Sequence, residues 1–258
     1  MSNRKRITIL TPIKNGEEYI KEFISMISKI ADYCIFLDDY STDNTLKILE
    51  EEVPKYFREG RYSILSKKED TIWDDYKNRL ILIQEAKNFN PDWVLFLDID
   101  EYIEYSDIKL LKVLFEEANE NLVYSLLLHR IVDKKRNLYD KTMYVTRIFK
   151  YQEKIDFLNK RLHFIPIPIH IPEEFYIKTN IRIKHFGSSS KFKRQKRYEK
   201  YLKEDSHFEF QSKEDYLKLL DNPKEENILE FNENKFKYTI NNEDKSKYQK
   251  LLLTFNQN

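Results

Sequence analysis

The sequence predicts an α/β fold in which a mostly parallel sheet is flanked by helices. Strand-like apolar runs near residues 7–11, 33–37, 62–65, 93–97 and 123–128 alternate with helical patterns at 17–30, 45–56, 74–88 and 106–120. This alternation is typical of βαβ units, whose strands run parallel. A second observation is that several runs are continuously apolar, as in strands that are covered on both faces. A third is that polar loops follow the first, second and fourth runs, which places them at one edge of the predicted sheet.

Composition supports one large domain. The chain has 258 residues, of which 41% are hydrophobic, enough to bury a full core. With 3 Gly and 7 Pro it is not collagen-like or low-complexity, and a net charge of +1 gives no global attraction to nucleic acid. The single cysteine, Cys34, cannot form a disulfide within the chain and suits a reducing compartment. No apolar run is long enough for a signal peptide or a transmembrane helix, so we expect a cytoplasmic protein.

Two strand ends carry clustered carboxylates. The run at 93–97 leads into Asp98-Ile99-Asp100-Glu101, and side chains two positions apart in an extended segment point to the same side. Asp98 and Asp100 can therefore share a hard divalent cation, and oxygen ligands favour Mg²⁺ or Mn²⁺. The alternative is that these acids only end a strand and cap the next helix.

The second cluster is Asp38-Asp39 after the run at 33–37. Ser41, Thr42, Asp43 and Asn44 follow it and can cap the helix that begins near Leu46. Capping does not account for Asp38 and Asp39. We expect one of these two carboxylates to bond backbone N–H groups of its own loop.

These motifs resemble those of family 2 glycosyltransferases, which are inverting enzymes with the GT-A fold, a Rossmann-like sheet flanked by helices. The resemblance covers roughly residues 7 to 202. It is carried by Thr11-Pro12-Ile13-Lys14-Asn15, Asp38 to Thr45, Asp98 to Glu101, Arg147-Ile148-Phe149-Lys150, Arg161-Leu162-His163, Lys184-His185-Phe186-Gly187 and a basic stretch ending in Tyr198. The later segments resemble the branch whose metal motif is Asp-x-Asp-Glu. The chain departs from the family pattern at Tyr40, at Asn15-Gly16-Glu17 and at Phe164, where that branch often has Glu.

The resemblance implies a metal-dependent inverting transfer of a sugar from a nucleotide-sugar, favouring UDP, to an unidentified glycan, lipid-linked or protein acceptor. The implied donor-binding residues are Thr11, Pro12, Asp39, Arg79 and Asp98, with Asp39 accepting from the uracil N3–H. Asp100 and His185 are implied as ligands of Mn²⁺ or Mg²⁺. The alternatives are an exposed helical arginine for Arg79 and an ordinary buried or surface histidine for His185.

The catalytic base is the least determined position, because Phe164 cannot take up a proton. The neighbouring candidates are Glu101, Glu173, Glu174 and His163. We favour Glu101, because a strand end fixes its position.

We divide the chain into a GT-A catalytic core at 1–190 and a C-terminal helical extension at 191–258 packed on the core. The basic run at 191–203 has three interpretations: a segment that closes over the diphosphate, a docking face for an anionic acceptor or a membrane surface, or a solvated helix. The Pro-interrupted segment at 165–172 is either a wall over the site or a surface loop.

Two other function classes have to be weighed. A sugar nucleotidyltransferase would need a Gly-rich phosphate loop, and residues 11–18 supply only Gly16. A non-catalytic carbohydrate-binding protein on a decayed transferase fold stays open, because Phe164 occupies a base position.

Overall fold

The computed structural model describes residues 5–118, 122–163, 165–231, 240, 244–246 and 249. Within them, nine strands form one mixed sheet flanked by helices, which confirms the α/β class. The strands are β1 (Ile7–Ile13), β2 (Tyr33–Asp38), β3 (Tyr62–Ser66), β4 (Trp93–Phe96), β5 (Glu101–Tyr102), β6 (Val123–Asp133), β7 (Leu138–Lys150), β8 (Tyr176–His185) and β9 (Leu229–Glu230). The α-helices are α1 (Ile20–Ile27), α2 (Thr45–Tyr56), α3 (Asp75–Ala86), α4 (Tyr105–Glu117), α5 (Lys191–Glu204) and α6 (Lys213–Leu217).

The first half of the sheet is parallel, as the alternation of strands and helices predicts. Its strands lie in the order β3-β2-β1-β4, with β1 hydrogen-bonded to both β2 and β4. Every residue of β1 and β4 is buried, which explains the continuously apolar sequence of β4 and the largely apolar sequence of β1. Because these strands are parallel, the polar loops that follow β1, β2 and β4 meet at one edge.

The second half of the sheet is mixed. A four-residue turn at 134–137 joins β6 to β7, and a turn this short permits only antiparallel pairing. β7 pairs antiparallel with β4, while β8 pairs parallel with β6. The run predicted at 123–128 is a strand, but β6 is longer than its apolar pattern indicates.

The two-residue strand β5 positions the site. It pairs antiparallel with the end of β8, with Glu101 opposite His185. The backbone N–H of Phe186 also donates to the carbonyl of Asp100 at 2.9 Å. These contacts bring the acidic loop after β4 to the end of β8.

The segment after residue 190 begins with α5, whose first turn is capped by the Ser190 hydroxyl, accepting from the Lys193 N–H. It continues through α6 to β9, which pairs with β7. Most of residues 232–258 lie outside the described residues, and the domain boundary at 190 stays a prediction. No helix in the described ranges is long and apolar enough to cross a membrane.

The Pro-interrupted segment packs on the sheet. Ile167 is 6% exposed and belongs to the apolar layer of Leu10, Phe96 and Phe149. This segment does not wall the cavity described next.

Candidate functional site

A cavity of about 710 Å³ opens where β1 and β4 end. Pro12 and Asp98 line it from these strand ends, Asp75 and Arg79 from α3, and His185 from the end of β8. α5 also lines the cavity, with five basic residues and two acidic ones: Lys193, Lys196, Arg197, Lys200, Lys203, Glu199 and Glu204. The position agrees with the sequence prediction, because ligands of open α/β sheets bind beyond the carboxyl ends of the strands.

Two arginines hold Asp98. Arg79 Nη2 donates to Asp98 Oδ1 at 2.9 Å, and Arg147 Nη2 donates to Oδ2 at 3.1 Å. Burial alone would raise the pKa of Asp98, but the charges of Arg147 and Arg79 outweigh it and hold the pKa well below its usual range. Asp98 is therefore ionised in the folded protein. Arg79 is 3% exposed, so the alternative of an exposed helical arginine is wrong.

Glu101 points into the fold. It is 2% exposed; its Oε1 accepts from Arg147 Nη2 at 2.6 Å and its Oε2 accepts from the Asp98 N–H at 3.0 Å. Burial raises its pKa against the opposing charge of Arg147. Glu101 does not line the cavity, so this arrangement does not suit the base role expected from the sequence. The rigid strand end fixes Glu101 as a partner of Arg147 instead.

Asp100 and His185 lie side by side on the cavity wall, with Asp100 Oδ2 3.2 Å from His185 Nε2. Burial opposes ionisation of Asp100, but His185 outweighs it and lowers the pKa. The side chain of His185 is 12% exposed, so it is not a surface histidine. Arg197 Nη1 lies 3.2 Å from the same Nε2.

Gly187 lets these groups approach each other. A Cβ atom at residue 187 would lie 2.5 Å from Asp100 Oδ2 and 3.0 Å from His185 Cε1. No larger residue fits without displacing the pair.

The pair offers one oxygen and one nitrogen ligand, and no group of three acids, histidines or cysteines suited to a metal occurs in the described part of the chain. Mg²⁺ is commonly bound by one or two carboxylates, with substrate phosphates and water completing its coordination. The pair fits a cation that a nucleotide would help to hold.

The other residues that were predicted to bind the nucleotide-sugar donor differ in how deeply they are buried. Pro12 lines the cavity, whereas Thr11 and Asp39 are fully buried and are not among its lining residues. Asp39 Oδ1 is 2.8 Å from Lys67 Nζ, and its Oδ2 accepts from Asn78 Nδ2 at 2.7 Å. No sequence motif marks Lys67, which follows β3, as a partner of Asp39.

Asp38 accepts a hydrogen bond from the backbone of its own loop, as expected for one of the two carboxylates. Its Oδ2 accepts from the Ser41 N–H at 3.3 Å and from the Ser66 hydroxyl at 3.4 Å.

The basic run is not simply a solvated helix. Lys193 Nζ donates to Tyr19 Oη at 2.6 Å and pairs with Glu18 at 2.8 Å, which holds α5 against the loop after β1. Lys200 Nζ lies 4.4 Å from the ring centroid of Trp73. The concentration of lysines and Arg197 along one wall gives the cavity a positive rim that favours anions.

The other candidates for the catalytic base differ in whether they line the cavity. Glu173 and Glu174 are exposed in a short 3-10 helix and do not line the cavity. Phe164 lies outside the described residues. His163 lines the cavity, and its Nε2 is 3.2 Å from Tyr216 Oη.

Comparison with known proteins gives one family match. The sequence model described as "Glycosyl transferase family 2" matches residues 8–186. Among solved structures, S. aureus TarS is similar with 18% identity and a TM-score of 0.42, over 62% of this chain and 32% of TarS. The mannose-1-phosphate geranyltransferase from Thermus thermophilus is similar with 12% identity and a TM-score of 0.36, over 57% of this chain and 50% of that one. The chain thus spans a third to a half of these two structures. No curated protein sequence matches it.

Proposed function

The chain belongs to glycosyl transferase family 2, and from this premise we propose that it transfers a sugar from a nucleotide-sugar to an acceptor hydroxyl with the help of a divalent cation. The observation that carries the proposal is the placement of Asp100 and His185 over Gly187, in a cavity with a positive rim at the ends of parallel strands. A nucleotide diphosphate needs both elements, a cation site and cationic side chains.

The chemistry follows from the leaving group. As the glycosidic bond breaks, negative charge grows on the diphosphate, and fixed positive groups near that charge lower the barrier. Arg197, Lys193 and Lys200 line the cavity and would stabilise this charge. Asp100 and His185 would hold Mg²⁺ or Mn²⁺, which supplies Lewis-acid stabilisation of the departing diphosphate when bound.

We further propose a uridine donor and an inverting displacement, both of which rest on the resemblance. For uridine, Asp39 would accept from the uracil N3–H. Its carboxylate has about four acceptor positions, and Lys67 and Asn78 contact one oxygen each. Because Asp39 is fully buried and outside the cavity lining, a base contact would require Lys67 or Asn78 to move aside.

Calorimetric titration tests the proposal. UDP should bind tightly with Mn²⁺ and at least about tenfold more weakly with a chelator, because Asp100 and the diphosphate repel each other without a cation. Asp100→Asn should abolish the effect of Mn²⁺. Asp221→Asn is the matched control, since Asp221 is exposed and outside the cavity.

Equal UDP affinity with Mn²⁺ and with chelator would contradict the cation-bridged site. Metal-dependent binding of UDP-sugars with no release of UDP would instead support the alternative of a non-catalytic nucleotide-sugar-binding protein.

A further inference from the structure

A hydrogen-bonded chain of three side chains leads from the segment after α5 into the cavity. Tyr216, on α6, is fully buried and donates its hydroxyl to Asp205 Oδ2 at 2.7 Å. His163 Nε2 lies 3.2 Å from the same hydroxyl. His163 lines the cavity, so the chain of hydrogen bonds ends at the cavity wall.

Asp205 is held as a carboxylate. Burial raises its pKa, but the Tyr216 hydroxyl and backbone N–H groups of Phe210, Glu209 and Gln211 outweigh burial and lower it. These N–H groups donate at 2.8 to 3.2 Å. An ionised Asp205 accepts only, so the Tyr216 proton must point toward it.

The orientation of the Tyr216 hydroxyl proton determines the tautomer of His163. With its hydrogen given to Asp205, the Tyr216 oxygen can only accept from His163, so Nε2 must carry the ring proton. In a neutral imidazole the other nitrogen, Nδ1, then has the lone pair. Burial, with the charges of Lys160 and Arg197, lowers the pKa of His163 against the opposing effect of Asp205. His163 is therefore neutral near pH 7.

The position of His163 is also fixed by packing and by its backbone. Its ring stacks on Tyr201 at a centroid distance of 5.4 Å, with 29° between the planes. Its φ of +54° lies in the left-handed region, which non-glycine residues adopt where surrounding contacts impose it. Two residues earlier, Arg161 is anchored to the start of α3: its carbonyl accepts from the Asp75 N–H and its guanidinium donates to the carbonyl of Trp73.

We propose that His163 is the catalytic base of the transfer, and that Tyr216 and Asp205 are positioning residues that set its tautomer. This inference rests on the proposed function. The acceptor O–H bond breaks and its proton passes to His163 Nδ1, while the acceptor oxygen bonds to the anomeric carbon. The bond from that carbon to the diphosphate oxygen breaks, and its electron pair leaves with the nucleotide diphosphate.

Asp75 is the rival base on the same cavity. Burial raises its pKa against the opposing charge of Arg79. However, its Oδ1 accepts from the Trp73 indole N–H at 2.9 Å, and no comparable chain of hydrogen-bonded side chains orients it among the residues that the structure describes. Experiment can separate the two candidates.

The first measurement does not depend on activity. Protein labelled with ¹⁵N-histidine should show His163 with the proton on Nε2 at neutral pH, assigned by the signal lost in His163→Asn. Tyr216→Phe removes the hydroxyl and should turn this into a mixture of tautomers. A predominant Nδ1–H form in the unsubstituted protein would overturn the proposal.

The second measurement is UDP release from UDP-glucose, UDP-galactose and UDP-N-acetylglucosamine with Mn²⁺, with water as acceptor. His163→Asn should lower kcat by about 10²- to 10⁴-fold and leave UDP affinity unchanged. His163→Gly suits the left-handed backbone, and added imidazole should restore part of its activity. His170→Asn is the control, because His170 is exposed and outside the cavity.

Three results would overturn the assignment. The first is full activity in His163→Asn, and the second is no rescue of His163→Gly by imidazole. The third is a loss of kcat in Asp75→Asn with no loss in His163→Asn. If the unsubstituted protein binds UDP with Mn²⁺ but releases none from any donor, the base assignment fails while nucleotide binding stands. If it does not bind UDP, the proposed function and this inference fail together.

Discussion

Asp100 Oδ2 and His185 Nε2 lie 3.2 Å apart, although β6 and β7 intervene between them in the sequence. The approach depends on β5, which pairs with β8, and on the missing side chain at Gly187. The cation site that we propose is thus a product of strand pairing as much as of the acidic motif itself.

Gly187→Ala should weaken Mn²⁺-dependent UDP binding by at least about tenfold. The new Cβ would lie 2.5 Å from Asp100 Oδ2, so the carboxylate must leave its present position beside His185. Calorimetric titration with UDP and Mn²⁺ measures the effect, and the melting temperature controls for misfolding. Unchanged affinity would show that the spacing of the pair does not matter for binding.

Arg197→Gln should change the affinity for Mn²⁺ in the absence of nucleotide and the affinity for UDP in opposite directions. Arg197 Nη1 lies 3.2 Å from His185 Nε2, and its charge competes with a cation at that position. Removing the charge should strengthen binding of Mn²⁺ alone and weaken binding of UDP. Lys191→Gln is the control on the same helix, since Lys191 is exposed and does not line the cavity. Titrations of each ligand in turn test this, and parallel losses of both affinities would contradict it.

Asp39→Asn should reduce the preference for UDP over CDP by roughly 10- to 100-fold, the equivalent of a charge-assisted contact of about 1.5–3 kcal/mol. The comparison requires titration of both nucleotides with each protein. A drop in melting temperature with an unchanged preference would assign Asp39 to the contacts with Lys67 and Asn78 alone.

Arg147→Met should destabilise the fold by about 3–5 kcal/mol, because it leaves the carboxylates of Asp98 and Glu101 without their shared cation. Urea unfolding measures the loss. Adding Glu101→Gln to this variant removes one uncompensated charge and should recover part of the stability. If the double variant is no more stable than Arg147→Met, the two charges are not coupled as the contacts indicate.

Stability should fall in acid, with Asp98 as one source. Its folded-state pKa is lower than that of the unfolded chain, so its contribution is present above the unfolded value of about 3.9 and is lost as the pH falls toward the folded pKa. Asp98→Asn should therefore show a shallower loss of unfolding free energy below about pH 4. An identical acid profile in both proteins would contradict the ion pairs with Arg79 and Arg147.

The parallel half of the fold could be predicted because its strands are long apolar runs separated by helical patterns. β5 could not, because a two-residue strand has no periodicity and exists only through its pairing with β8. The sequence likewise did not indicate which way the Glu101 side chain points. Its carboxylate turns inward to Arg147, which lies on β7, far along the chain.

The acidic motifs were visible from spacing, and the resemblance already named Arg79 and His185, but other contacts of the site were not predicted. Asp98 and Asp100 follow a strand that is easily recognised, but Lys67 and Tyr216 lie in segments with no motif of their own. Their contacts depend on how distant elements pack.

The side chains that orient His163 come from outside the region that this chain shares with its family, which ends at residue 186. Asp205 and Tyr216 follow α5 and lie beyond the matched residues. In our proposal the base, His163, therefore lies inside the shared region, whereas the residues that set its tautomer lie outside it. A comparison restricted to the shared region would therefore miss the residues that set the tautomer of the proposed base.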